Sequence, residues 1–302
     1  MYDTIMVPLD GSAFSEQAIP VAAAIARREG ARLRLVHVHE PLYGEVSEEM
    51  GKRVEAYLED VARRIALASG VRVDTRRLVG RVVEQLMSFA DAAAVDLIVL
   101  TTHGRSGFSR AWLGSVADAL IRGAGVPVLA MRPAVDAASG GSPAEPSAFP
   151  APGVFRRVLV PLDGSELAES VLEHATALGG PEAAYTLLAV VPAPAPGELG
   201  AVRFGLAPDR VEVERRRAEV GRYLARVTER IRRGPSRVEG VTRVAALPAL
   251  AILEYAAQHG VDLIAMATHG CGGIRRWVLG SVADKVVRGA ECPVLVLRPR
   301  TP

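Results

Sequence analysis

Short apolar runs alternate with longer stretches in which apolar residues recur every three or four positions, and this alternation passes along the chain twice. The short runs read as strands and the longer stretches as amphipathic helices, the pattern of βαβ units around a parallel sheet. The first half predicts strands near 3–8, 32–38, 71–77, 96–101 and 126–131, with helices near 13–29, 47–69, 82–93 and 114–123. The second half predicts strands near 156–161, 184–191, 238–245, 262–267 and 293–298, with helices near 166–178, 209–233, 248–259 and 280–289. Asp96-Leu97-Ile98-Val99-Leu100 is apolar at every position after the first, as a strand covered by helices on both faces should be. The expected fold class is therefore α/β: two tandem doubly wound, parallel, five-stranded sheets with helices on both faces, Rossmann-like in plan. Such sheets bind ligands outside the carboxyl ends of their strands, where strand order reverses.

The two halves repeat one another in residues as well as in pattern. Ile5-Met6-Val7-Pro8-Leu9-Asp10-Gly11-Ser12 returns as Val158-Leu159-Val160-Pro161-Leu162-Asp163-Gly164-Ser165, an offset of 153. Thr102-His103-Gly104 and Leu113-Gly114-Ser115-Val116-Ala117-Asp118 return as Thr268-His269-Gly270 and Leu279-Gly280-Ser281-Val282-Ala283-Asp284, both at an offset of 166, so the second copy carries 13 extra residues in its middle. Domains are expected at 1–133 and 155–302. Residues 134–154, rich in Pro, Ala, Ser and Gly, read as a linker and not as a packed element.

Composition narrows the function. With 302 residues, 49% hydrophobic and 23% charged, the chain can bury a core in each half. The 36 basic residues are interspersed with 34 acidic ones, which gives no field for nucleic acid. No apolar run approaches the roughly 18 residues needed to span a bilayer, and the opening MYDTIMVPLDGS enters a strand-like pattern directly, so no membrane association and a cytoplasmic location are expected. The two cysteines, Cys271 and Cys292, form no CxxC pair. Lysine occurs only at Lys52 and Lys285, neither in GxxxxGK[ST], and GxGxxG is absent. Phosphates, if held, are held by some other loop.

Two motifs could form one. Asp10-Gly11-Ser12 and Asp163-Gly164-Ser165 follow the first strand of each half; the carboxylate can accept hydrogen bonds from a ribose hydroxyl or a base amino group, or the trio can simply close a turn and cap a helix. His103-Gly104, nine residues on to Gly114-Ser115, and His269-Gly270 with Gly280-Ser281, end a glycine-bearing loop at a helix N-terminus. Free backbone N–H groups, a favourable dipole and a serine hydroxyl are the ingredients of a phosphate cradle. Other candidates are weaker. His37 and His39 face one side of a strand at a metal-gripping spacing but lack a third ligand, which favours a structural role. Cys271 could be redox-sensitive within the loop, and His103 and His269 lack the nucleophile and oriented partner of acid–base catalysis. Asp118 and Asp284 favour the helix dipole over a phosphate-bound Mg²⁺.

On these motifs both halves resemble the universal stress protein family, whose nucleotide-binding members carry G-x2-G-x9-G-[ST] after the fourth strand. The resemblance places the second glycine at Gly104 or Gly270, the third at Gly114 or Gly280, and the hydroxyl at Ser115 or Ser281, followed by Val116 or Val282. Thr101 and Ala267 stand where the first glycine belongs. Adenine and ribose contacts are implied at Pro8, Asp10 and Val38, and at Pro161, Asp163 and Val190. The resemblance implies a regulatory module that binds ATP or ADP, with Mg²⁺ as a candidate counter-ion and an unknown protein partner; a slow ATPase and a scaffold with decayed sites are the alternatives. It also implies an intramolecular pseudo-dimer through the fifth strands, with a homodimer of whole chains as a further step. Because Ala267 is smaller than Thr101, the carboxy-terminal site is expected to bind more tightly.

Overall fold

The computed structural model describes residues 1–41, 48–102, 113–136, 142–143, 155–192, 210–232, 237–268 and 279–298. The chain divides into two compact units, Met1–Val154 and Phe155–Thr301. In the first, β1 (Thr4–Pro8), α1 (Ala13–Glu16), α2 (Ile19–Glu29), β2 (Arg32–His39), α3 (Glu48–Ser69), β3 (Val73–Val79), α4 (Val82–Ala92), β4 (Leu97–Thr101), α5 (Ser115–Gly123) and β5 (Val128–Met131) follow in order. The five strands are parallel, in spatial order β5-β4-β1-β2-β3. Strand order therefore reverses between β1 and β4. Helix α2 packs with α3, and α4 with α5, one pair to each face, as right-handed crossovers on either side of β1 require. Ile5, Met6 and Val7 of β1 and Leu97, Ile98 and Val99 of β4 lie fully buried between these layers. On α3, Leu58, Val61 and Ile65 turn inward at helical spacing.

Next come β6 (Val135–Asp136) and β7 (Ser142–Pro143), a short antiparallel pair. Both lie within the stretch 134–154 that the sequence reads as a linker. Its beginning is tied to the first unit, because the Gln17 amide donates to the Ala134 carbonyl (2.9 Å) and accepts from the Ala134 N–H (2.6 Å).

The second unit contains β8 (Arg157–Pro161), α6 (Glu166–Glu169), α7 (Leu172–Gly179), β9 (Ala184–Pro192), α8 (Arg210–Ile231), β10 (Arg237–Ala245), α9 (Pro248–Gln258), β11 (Leu263–Ala267), α10 (Ser281–Gly289) and β12 (Val294–Leu297). Within the unit its strands run β10-β9-β8-β11-β12, again all parallel. The extra residues of the second copy fall between β9 and β10.

One helix per unit departs from expectation. Residues 13–29 form two helices, with Pro20 in the first turn of the second, where it has no N–H to offer and opposes continuation from α1. The second unit breaks at the same place between α6 and α7 without a proline. There the Ser170 hydroxyl donates to the Leu167 carbonyl at 2.6 Å, a local bond that competes with the helical ladder.

Candidate functional site

The acidic turn leaves β1 at Pro8 and is held from within. Leu9 N–H donates to the Val36 carbonyl (2.8 Å), which binds the strand end to β2. Asp10 Oδ1 accepts from both the N–H (2.9 Å) and the hydroxyl (2.6 Å) of Ser12, and Ser12 Oγ accepts in turn from Ser15 N–H (3.2 Å) to cap α1. Gly11 lies at φ +81°, a conformation that glycine adopts without strain. The second unit repeats this: Leu162 N–H to Leu188 O at 2.8 Å, Asp163 Oδ1 from Ser165 N–H at 3.0 Å and Oγ at 2.6 Å, Ser165 Oγ from Ala168 N–H at 3.1 Å, and Gly164 at φ +89°. The turn-and-cap role of these residues is thus present in both units.

Across the reversal point, Thr101 ends β4 and Ala267 ends β11. Just past these strand ends, Thr102 and Thr268 meet the caps of the next helices: Gly114 N–H donates to the Thr102 carbonyl (2.8 Å) and Gly280 N–H to the Thr268 carbonyl (2.9 Å). Gly114 and Gly280 cap α5 and α10 with extended backbone, φ −58° and −56°. Glycine is needed here for a reason the sequence did not suggest, since a Cβ on Gly280 would lie 2.5 Å from the Thr268 carbonyl oxygen. The close approach is to the chain's own backbone. Beyond it, the N–H groups of Ser115, Val116 and Ala117, and of Ser281, Val282 and Ala283, have no acceptor within their helices. Each unit therefore sets an acidic turn and a helix N-terminus on the carboxyl ends of two adjacent parallel strands. Val38 and Val190 occupy matching places near the ends of β2 and β9, with Pro8 and Pro161 at the ends of β1 and β8. His103, Gly104, His269, Gly270 and Cys271 lie outside the described residues.

The remaining candidates resolve by their partners. His37 is buried, with Nδ1 2.9 Å from the Leu9 carbonyl; a carbonyl only accepts, so that nitrogen carries the proton and the ring pins β2 to the acidic turn. Asp118 takes both Nε (2.7 Å) and a terminal nitrogen (2.9 Å) of Arg122, and Asp284 takes Arg288 Nε (3.0 Å). These carboxylates serve ion pairs one turn along their own helices, at positions the helix dipole also favours. Among the described residues, no three His, Cys, Asp or Glu side chains cluster as a metal site. None of the described helices is long and apolar enough to cross a membrane.

Sequence reading missed a polar cluster beside each acidic turn. In the first unit Glu16 accepts from the Tyr57 hydroxyl (2.9 Å) and from Arg64 (3.2 Å), which joins α1 to α3. In the second, Glu169 of α6 pairs with Arg230 of α8, and Tyr223 lies beside them. The signal was available, because Tyr57-Leu58, Val61 and Arg64-Ile65 return as Tyr223-Leu224, Val227 and Arg230-Ile231 at a constant offset of 166.

Comparison with known proteins agrees with this architecture. A profile described as the universal stress protein family matches residues 1–132 and 155–298. A universal stress protein of Mycobacterium tuberculosis is 28% identical over 97% of this chain and 96% of its own length. A universal stress protein of Thermus aquaticus is 35% identical, its whole length matching 44% of this chain. Among solved structures, a universal stress protein from Archaeoglobus fulgidus superposes with a TM-score of 0.66 over 98% of both chains at 19% identity, which shows a shared fold.

Proposed function

The chain belongs to the universal stress protein family, and we propose that each of its units is a binding module for an adenine nucleotide, ATP or ADP, whose occupancy alters the surface shown to a protein partner. The observation that carries this reading is the pairing, in both units, of an acidic turn with a Gly-Ser helix N-terminus at the point of strand reversal. The turn offers a carboxylate to the nucleoside and the helix offers N–H groups and dipole to the phosphates. Asp10 or Asp163 would accept from the nucleoside, and the N–H groups of residues 115–117 or 281–283 would donate to phosphate oxygens. Asp118 and Asp284, engaged by arginines, do not enter as ligands of Mg²⁺.

Binding rather than efficient turnover fits the residues. Neither Lys52 nor Lys285 stands in a phosphate-binding loop motif, and catalysis of phosphoryl transfer relies on such charge at the phosphates. A scaffold with decayed sites is the second reading, favoured by Thr101 and Ala267 in place of the first motif glycine. Pairing of β5 with β12 into an intramolecular pseudo-dimer belongs to the same proposal, as does a cytoplasmic location.

Nucleotide released from the purified protein by denaturation and identified by mass spectrometry separates binder from scaffold. Adenine nucleotide is expected, followed by calorimetric binding of ATP that Asp163→Ala weakens by about 1–3 kcal/mol. Asp163→Asn keeps an oxygen for the Ser165 bonds and so controls for loss of the turn. Protein that yields no nucleotide and gives no heat with ATP or ADP would be a scaffold.

A further inference from the structure

The polar clusters beside the two acidic turns are the same residues in two different states. In the first unit Glu16, largely buried, shares its carboxylate between Tyr57 and Arg64. Arg64 is itself divided, since its Nε also reaches Asp60 of α3 at 3.1 Å. The Tyr57 hydroxyl is pushed well above its ordinary range, chiefly by burial, then by Glu16 and by Asp10, so this phenol sits within the field of the acidic turn. In the second unit Arg226 occupies the place of Asp60. A like charge one turn before Arg230 opposes what Asp60 does for Arg64, and Arg230 closes on Glu169. Tyr223, raised in the same way by burial, Glu169 and Asp163, has a buried hydroxyl that lacks, among the described residues, a hydrogen bond as well formed as the one from Tyr57 to Glu16.

A second difference lies inside the turn. Ser15 is buried; its hydroxyl donates to the Ser12 carbonyl (2.8 Å) and accepts from the Asp10 N–H (3.3 Å). In the second unit that residue is Ala168, which supplies neither bond. Asp10 is half-buried, whereas Asp163 is exposed.

We propose that Tyr57, Glu16 and Ser15 are positioning residues that hold the Asp10 turn ready for the nucleoside, and that Arg226 and Ala168 leave the Asp163 turn less organised, so that the two units bind the nucleoside end of the nucleotide unequally. The proposal rests on the nucleotide reading of the acidic turns. A turn already fixed in its binding conformation spends less binding energy on ordering. The asymmetry at the nucleoside end is independent of the Thr101 and Ala267 difference at the phosphate end. It follows that adenosine, which lacks phosphates, favours the first unit.

Two experiments on the full chain test this. In ligand-free protein, amide exchange at Ser12 is expected to be slower than at Ser165, and Tyr57→Phe is expected to narrow the gap; equal exchange in the wild type would overturn the structural half whether or not nucleotide binds. For the functional half, Asp10→Ala silences the first site, and Ala168→Ser with Arg226→Asp is then added to rebuild the network in the second. Adenosine affinity at the second site should rise about three- to tenfold, the worth of roughly one hydrogen bond. A supporting role for folding alone predicts no gain. Wild-type protein that binds no nucleotide would remove the function proposed above and leave the exchange result standing; wild-type binding with no gain in the rebuilt site would overturn this inference alone.

Discussion

Two glycines of the motifs are required for different reasons, and substitution separates them. Gly164 lies at φ +89° with open space around its missing side chain, so Gly164→Ala meets only the backbone strain of a left-handed residue, about 1 kcal/mol. Gly280 has an ordinary φ but no room, the Thr268 carbonyl oxygen standing 2.5 Å from its Cβ position. Gly280→Ala must part the two backbone segments and weaken the bond from Gly280 N–H to that same oxygen (2.9 Å). A cost of about 1–3 kcal/mol is expected, read as a fall in melting temperature of several degrees in protein without nucleotide. A variant with an unchanged melting temperature and selectively weakened ATP binding would instead place the constraint at the approach to the phosphates. Cys292 gives a second residue-scale expectation. Burial pushes its thiol up to about 11, and the thiolate is the reactive form. Brief iodoacetamide at pH 7.5 should leave Cys292 unmodified in folded protein and label it after denaturation, as read by mass spectrometry of its peptide. The sign for stability follows: the unfolded chain loses this proton first, so the contribution of Cys292 falls as pH rises from 9 towards about 11.

At the scale of elements, the break between α1 and α2 has two candidate causes, Pro20 and the tertiary fit of the segment after the acidic turn. The second unit has the same break and no proline, with the Ser170 hydroxyl on the Leu167 carbonyl in its place, so a proline is not required for the break. Pro20→Ala should therefore leave residues Gln17 and Ala18 outside a continuous helix, with a stability change of about 1 kcal/mol or less; backbone chemical shifts check it, and a single helix over 13–29 would make the proline decisive. This is also where the sequence was least legible. Strands such as β4 and β11 announce themselves, because burial on both faces demands an uninterrupted apolar run. Helix α3 does so by Leu58, Val61 and Ile65 at helical spacing. The short break does not, since apolar periodicity carries across it. Nor could periodicity reveal the Gln17 amide on the Ala134 backbone, a contact between residues 117 apart. The acidic turns and Gly-Ser caps were readable as motifs because each is local. The Tyr57–Glu16–Arg64 cluster, spread over two helices, was readable only through its repetition.

For the whole molecule, the two units share one plan and end alike: β5 (Val128–Met131) and β12 (Val294–Leu297) are apolar and, within their own sheets, are bonded on one side only. A sheet edge presents a row of unpaired N–H and C=O groups, and proteins that remain monomeric usually blunt it with charge, proline or a bulge. Neither strand carries a charged residue or a proline between its ends. The outer strands at the opposite ends of the two sheets do carry charge: β3 holds Asp74, Arg76 and Arg77, and β10 holds Arg237, Glu239 and Arg243. The contrast singles out the fifth strands as the edges fitted for pairing. A tether converts such pairing into an intramolecular event at an effective concentration of the order of millimolar. Separating the halves removes that advantage but leaves the complementary edges, so fragments 1–133 and 155–302 should associate when mixed at micromolar concentration. Sedimentation velocity reads the outcome as a species of summed mass that falls apart on dilution. Two fragments that each remain folded and monomeric at that concentration, alone and together, would show that the fifth strands are adequately protected within their own units and would remove the pseudo-dimer from the proposed organisation.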